Sequence, residues 1–390
     1  MRGKLNTKGL YEAAVKEGKP QRFFDEFSEA LEKREIVPTD FHVRQLFEDF
    51  VEGGIGIVNQ WYHNPENRMT IMESGVDTTA FSNITGQLLV NNVMDAYSGP
   101  TFIADKLCTT KSTKLPKGEK IPGMGQIGDE AEAVGEAQPY PVIGFQEDWI
   151  ETPETIKRGM IVPLTREVIV ADLTGLLYDR AQGVGKWIGY NKELRVLQTC
   201  LGVTTSYNRR SRGAVATYND NTGNHDWDNL TDQNLVDWTD LENALLLFDG
   251  MLDPNTGTPI DVISGNKLQL VVPTAKLFTA KRIIGATEIR YGDGASNTTQ
   301  TIASNPVSDM FEIVSSQLVY TTTSSNIIWF LGDFKRAFAY MQVSPIQVVK
   351  APSNSNDEFH RDIVDQWKVS EWGVPAVLEP RYVVKSSGAA

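Results

Sequence analysis

Cysteine is nearly missing from this 390-residue chain: Cys108 and Cys200 are the only two, too few for a disulfide framework. Both read as reduced, buried, small hydrophobes. Histidine is almost as scarce. His42, His63, His225 and His360 lie far apart, without the i, i+4 pair of a zinc helix, and no GxSxG elbow occurs, so neither metal hydrolysis nor nucleophilic catalysis has a constellation to use. His225, Asp226, Asp228 and Asp232 come nearest to a cation cluster and read as hydrated turn residues. No stretch reaches the ~20 mostly apolar residues of a membrane span, and the basic start at residues 1–8 lacks the apolar run of a secretory signal. Basic charge is short as well: 37 Lys and Arg against 50 Asp and Glu leave a formal charge of −13. That disfavours gripping phosphate backbones but permits enclosing nucleic acid without adhering to it. The expectation is a folded protein expressed in a cytosol, not an enzyme, with no metal, no cofactor and no membrane partner.

Two glycine strings imitate nucleotide sites. Gly123-Met124-Gly125-Gln126-Ile127-Gly128 spells GxGxxG and on its own would suggest an oxidoreductase. That motif needs a hydrophobic strand before it and a helix after it, so that amides meet the pyrophosphate. Here Lys117-Gly118-Glu119-Lys120 precedes and Asp129-Glu130-Ala131-Glu132 follows, which puts carboxylates where phosphate would lie. Gly183-Val184-Gly185-Lys186 resembles the end of a phosphate loop, but Arg180 stands where the first glycine belongs and Trp187 where Ser or Thr does.

What the chain has in abundance is helical periodicity in one place and one-sign charge in another. Apolar residues recur at Ile169, Leu173, Leu176, Leu177, Ala181, Val184, Ile188, Leu194, Leu197 and Leu201, mostly in steps of three and four. This predicts an amphipathic helix over residues 165–201, on the order of 55 Å long at 1.5 Å per residue, with Thr165 as N-cap and Gly202 as C-terminal stop. Gly175, Gly183, Gly185 and Gly189 lie inside it, each costing about 1 kcal/mol relative to alanine. Either another backbone comes close there, or two shorter helices meet near Gly183 to Gly185.

Just before this spine, residues 114–163 hold six prolines and seven glycines, with alternation at Ile143, Phe145, Glu147, Trp149 and Glu151. An extended β-hairpin arm explains such a stretch better than a structureless loop of that length. Between Asp129 and Glu154 lie eight acidic residues and no Lys or Arg. Asp129, Glu130, Glu132, Glu136, Glu147, Asp148, Trp149 and Glu151 therefore form a candidate contact surface, with Lys157 and Arg158 at the arm's return. Arg209, Arg210 and Arg212 form the densest basic run. They are the candidate receiver of an acidic surface from an adjacent copy, since arginine pairs bidentately with carboxylates.

Elsewhere, Phe23, Phe24, Phe27, Ala30 and Leu31, then Phe41, Leu46, Phe47 and Phe50, suggest two short helices in an N-terminal arm. Helices are expected over 81–98, 238–252 and 274–284. Strands are expected over 101–110, 268–272, 311–321, 326–332, 337–349, 363–371 and 375–384, the last two split by a turn at Trp372-Gly373-Val374.

This order of parts resembles the major capsid protein of tailed bacteriophages, the Hong Kong phage or Johnson fold that encapsulin shells also use. Three stretches carry the resemblance: residues 152–167, ending Gly159-Met160-Ile161-Val162-Pro163-Leu164-Thr165-Arg166-Glu167; Gly332-Asp333-Phe334 opening a β segment; and the Val-rich ending at 359–384. The resemblance implies an α+β fold with an N-terminal arm at 1–80, peripheral-domain pieces at 81–113, 164–203 (the spine) and 350–385, an extended loop at 114–163, an axial domain at 204–349 and a tail at 386–390. It further implies copies arranged as hexamers and pentamers in an icosahedral shell around double-stranded DNA, assembled in a bacterial cytoplasm. The partners would be the chain itself, a portal, and scaffold or decoration proteins. An encapsulin-like compartment shares the fold and is the alternative.

Overall fold

The computed structural model describes residues 16, 29–30, 47–48, 54–63, 88–91, 93–97, 102–122, 134–136, 138, 140, 149–165, 176–204, 207–209, 213–220, 227–253, 257–263, 267–292, 300–351 and 363–388. Among these, the elements up to the spine are α1 (Gly54–His63), α2 (Ala104–Leu107), β1 (Thr109–Ser112), β2 (Lys120–Pro122), β3 (Trp149–Glu151), β4 (Ile156–Thr165) and α3 (Leu176–Cys200). Then come β5 (Tyr207–Arg209), β6 (Gly213–Val215), β7 (Leu230–Thr231), α4 (Trp238–Asp249), β8 (Leu268–Val272), α5 (Leu277–Gly285), β9 (Glu288–Gly292) and β10 (Gln300–Ser304). The chain continues through β11 (Phe311–Ser315), α6 (Gln317–Thr323), β12 (Trp329–Gly332), α7 (Phe334–Ala337), β13 (Phe338–Lys350), β14 (Ile363–Val377) and β15 (Val383–Ser386). The fold is mixed α+β. Two units divide it: one of residues 1–100, 157–191 and 346–371, the other of 101–156, 192–345 and 372–390.

The second unit is built on a five-stranded sheet in the order β11-β8-β12-β15-β7. Its strand β8, Leu268-Gln269-Leu270-Val271-Val272, is buried at every position, as a strand covered on both faces must be, and this is why the sequence reads as an unbroken β run there. β11 runs parallel to it, β12 antiparallel. Helix α4 starts where Asp237 accepts the amide of Thr239 while Asp240 reaches back to the amide of Asp237, a capping box. The buried amide of Asn229 ties the segments together: its Nδ2 donates to Thr217, Pro380 and Val383 carbonyls and its Oδ1 accepts the amide of Asn219.

Several sequence expectations in this unit give way to specific side-chain contacts. Residues 104–107 form α2 rather than part of a strand, because the carboxylate of Glu193 takes the amides of Ile103 and Ala104 at 2.8 and 2.9 Å. An anion at a helix start satisfies donors that would otherwise be orphaned. Burial raises the Glu193 pKa, and those two amide bonds oppose the rise. The strand expected over 311–321 stops at Ser315, since Ser316 accepts the amide of Leu318 and caps α6. The turn expected at Trp372-Gly373-Val374 is absent: β14 runs straight through it. A Cβ on Gly373 would lie 2.7 Å from the Tyr340 ring, so that glycine seats an aromatic side chain. Similarly, Gly332-Asp333-Phe334 ends β12 and caps α7 through Asp333 before β13 begins.

The first unit contains α1, helical residues 88–91 and 93–97, most of β4, the N-terminal part of α3, and the adjoining ends of β13 and β14. β4 extends to Thr165, so that residue ends a strand, and residues 166–175 lie outside the described ones. The Phe-rich patterns at 22–52 also fall mostly outside; residues 29–30 and 47–48 are helical. From Leu176 to Cys200 the spine is one helix with no break at Gly183 to Gly185. It ends as its sequence specifies, with Gly202 at φ +67 and the amide of Val203 bonded to the carbonyl of Gln198.

The close approach expected in the spine occurs at one glycine and not at another. A Cβ on Gly185 would sit 2.3 Å from the carbonyl oxygen of Val93, whereas one on Gly183 meets nothing within 4 Å among the described residues. Gly183→Ala should therefore stabilise the protein by about 1 kcal/mol, the helix-propensity difference. Gly185→Ala should destabilise it despite the same gain, because backbone must move. Urea unfolding of the two variants checks this opposition of sign.

Candidate subunit interface

Strands β2 and β3 are the described root of the arm. They pair antiparallel, Lys120 opposite Glu151, Ile121 opposite Ile150 and Pro122 opposite Trp149, with residues 123–148 between them. β3 also pairs with β5, Ile150 opposite Arg209, and β5 with β6, which gives a four-stranded sheet in the order β2-β3-β5-β6. Buried Ile150 anchors it in the second unit's core. The polar face is equally committed: Glu151 accepts from Trp149 Nε1 at 3.2 Å and from Asn208 Nδ2 at 3.4 Å, and lies 3.9 Å from Lys120 Nζ. The Lys120 ammonium sits 4.4 Å from the Trp149 ring centroid, within cation–π range.

The sheet thus brings Trp149, Glu151 and Arg209 of one chain together at the arm's base. Trp149 and Glu151 help hold the root. Glu136 and Tyr140 are exposed, Tyr140 at 81 %. In the first unit, Lys157 is exposed on β4, and Arg158 is half-buried with its Nε lacking a hydrogen-bond partner among the described residues. Asp129, Glu130, Glu132, Glu147, Asp148, Arg210 and Arg212 lie outside the described residues, as does the glycine string at 123–128. Gly183 to Lys186 lies inside α3, where no loop can cradle a phosphate.

Beside the root is a cleft of about 400 Å³ whose walls include Ile121, Pro122, Ile150, Lys111, Lys335 and Arg336. Lys335 and Arg336 are placed by α7. Arg336 is steadied by Asp333 at 3.7 Å, by the Asp261 carbonyl at 3.3 Å and by the Tyr382 ring at 5.3 Å. Burial raises the Tyr382 pKa and the Arg336 charge opposes that, so the phenol stays protonated. An apolar floor with exposed cations suits a segment carrying carboxylates. The sequence signal for it was the short Lys335-Arg336 step after a capping Asp333, which by itself is indistinguishable from solvated surface. Among the described residues no group of three or more His, Cys, Asp or Glu could hold a metal ion, and no helix is long and apolar enough to cross a membrane.

Residues 150–386 match the model of a family described as phage capsid protein. No curated protein sequence matches the chain. Among solved structures, similarity extends to the capsid of a native GTA particle, with 11 % identity over 75 % of this chain and 91 % of that one and a TM-score of 0.46. Gordonia phage Cozz gives 14 % identity over 74 % and 87 %, with a TM-score of 0.43. An encapsulin complex from Synechococcus elongatus PCC 7942 gives 11 % identity over 74 % and 86 %, with a TM-score of 0.41.

Proposed function

The chain belongs to the phage capsid protein family, and on that premise we propose that it is the major head protein of a tailed phage or prophage, closing as hexamers and pentamers into an icosahedral shell around double-stranded DNA. The observation that carries this reading is the arm: a hairpin rooted in a sheet of its own chain, whose intervening segment holds acidic residues without a compensating cation. Such a segment repels itself and gains most by meeting basic groups on another copy. Residues 114–163 act as the extended loop lying across a neighbour, 204–349 as the axial domain at the rotation axes, and 81–113, 164–203 and 350–385 as the peripheral domain. Residues 1–80 are a further arm. Heterologous contacts of this kind repeat around a ring, so each needs only modest strength. The net charge of −13 keeps enclosed DNA from adhering to the wall. The chain has a structural rather than catalytic role, assembles in the bacterial cytoplasm, and works with a portal and with scaffold or decoration proteins.

Negative-stain microscopy of the expressed chain tests this reading. Closed shells with five- and six-fold clusters support it; a discrete monomer at high concentration, or shells filled with an enzyme cargo, would contradict it. The receiving surface is tested by Arg210→Glu with Arg212→Glu, and separately by Lys335→Glu in the cleft. Each is expected to reduce sedimenting shells about tenfold at low ionic strength, with the difference shrinking at 0.5 M salt as charge is screened. Unchanged shell yield at low salt would remove that residue set from the contact.

A further inference from the structure

The two cysteines lie at either end of the segment that carries arm and spine. Cys108 falls between α2 and β1, and Cys200 is the last residue of α3. The fold places their Sγ atoms 3.5 Å apart inside one buried apolar cluster. Both backbones are held independently: the amide of Cys108 donates to the Ala104 carbonyl at 2.9 Å, and the Cys200 carbonyl accepts the hydroxyl of Tyr218 at 2.6 Å. Bringing the sulfurs to a bonded distance of about 2.05 Å therefore falls to side-chain torsions. We infer that Cys108 and Cys200 are a modification site, a dithiol kept open while the chain sits in a reducing cytosol and closed to one intramolecular disulfide by a small peroxide oxidant afterwards.

Access and chemistry fix the order of events. Cys108, a residue 6 % exposed, lies nearer solvent than Cys200 at 0 %, so a small oxidant meets it first. The Cys108 sulfur attacks one oxygen of hydrogen peroxide, the O–O bond breaks, and the departing hydroxide takes up a proton to leave as water, giving a sulfenic acid. The Cys200 sulfur then displaces the hydroxyl, which departs as a second water once it receives the Cys200 proton. Two thiols and one peroxide become one disulfide and two waters. Burial, followed by the hydrogen bond to Cys108, pushes the Cys200 thiol pKa up, so its thiolate is scarce and closure is slow. The bond would close a loop through residues 108–200, and constraint on a loop of that length restricts the unfolded chain strongly. The timing rests on the virion reading; the bond itself does not.

The test uses the full chain, purified under reductant, freed of it, exposed for hours to hydrogen peroxide, then denatured and alkylated. The expected result is a mass 2 Da lower with no alkylated cysteine, a linked peptide pair containing Cys108 and Cys200, and an unfolding midpoint about 5 °C higher than the reduced chain. Two alkylatable thiols after exposure, a sulfinic acid at Cys108, or a disulfide-linked dimer would each overturn it. Because this assay reads the wild-type chain, folding of a Cys200→Ser variant is not at issue. Shell formation is scored in parallel by sedimentation: a closed disulfide without shells keeps this inference while the virion reading fails, and shells with both thiols open do the reverse.

Discussion

Replacing residues 123–148 by an Asn-Gly turn is expected to leave a chain that folds normally and forms no shells. The excision keeps every strand of the root. Pro122 stands opposite Trp149 at the last pair of the β2-β3 ladder, and a two-residue type I′ turn closes an antiparallel ladder at such a pair without splaying it. Ile150 stays buried, Lys120 stays over Trp149, and Glu151 keeps its donors Trp149 and Asn208. Among the described residues, the second unit's buried core includes none from the removed segment, so the thermal midpoint should move by no more than about 2 °C. Assembly should fail nearly completely. Every copy in a closed shell repeats the lost contact, and each 1.4 kcal/mol removed from it weakens that contact about tenfold. Sedimentation should show shells reduced at least about a hundredfold, and microscopy should show none. Shells formed at parental yield by the shortened chain would mean the acidic segment is not what joins copies.

How much of this was legible depended on whether the deciding partner was near in sequence. The all-buried β8 run, the capped helix α4 and the stop at Gly202 are local signals, and each appears where its residues indicate. By contrast, α2 is capped by Glu193 from some ninety residues away, and β14 continues through Gly373, where the ring of Tyr340 fills the space a Cβ would need. Neither partner can be read from the segment itself. The hairpin of β9 and β10 carries a polar sequence without clean alternation, so periodicity predicts no element there. At the candidate interface, the acidic run was plain from composition. Its root was not, since Asn208 and Lys120 bear on Glu151 only through the pairing of β2, β3 and β5.

Removing Glu379 alone should cost about 3–5 kcal/mol, whereas removing it together with Arg381 should cost much less. Arg381 is fully buried, its Nη1 bonded to Glu379 Oε1 at 2.8 Å and its guanidinium 4.9 Å from the Trp227 ring centroid. Its Nε and Nη2 have no hydrogen-bond partner among the described residues, so the charge relies heavily on one carboxylate and one aromatic face. Glu379→Ala would leave that cation in the core with the ring alone, and it would also strip the cap that Glu379 provides to the amide of Arg381. The midpoint should fall by about 5 °C. Arg381→Met alone leaves an uncompensated carboxylate and should fall comparably. Combining Glu379→Gln with Arg381→Met keeps a capping oxygen and removes both charges, so urea unfolding should recover most of the loss, and measured against the Glu379→Gln and Arg381→Met singles the coupling should be about 2 kcal/mol or more. Simple additivity of the two single costs would show that the charges do not act as a unit. The effect should reach assembly too, because Glu379 and Tyr382 line the cationic cleft and the buried Asn229 amide holds the same turn through the carbonyls of Pro380 and Val383. A double variant that assembles as well as the parent would confine the pair's role to the core; one that is stable yet assembles poorly would place it in shaping the cleft wall.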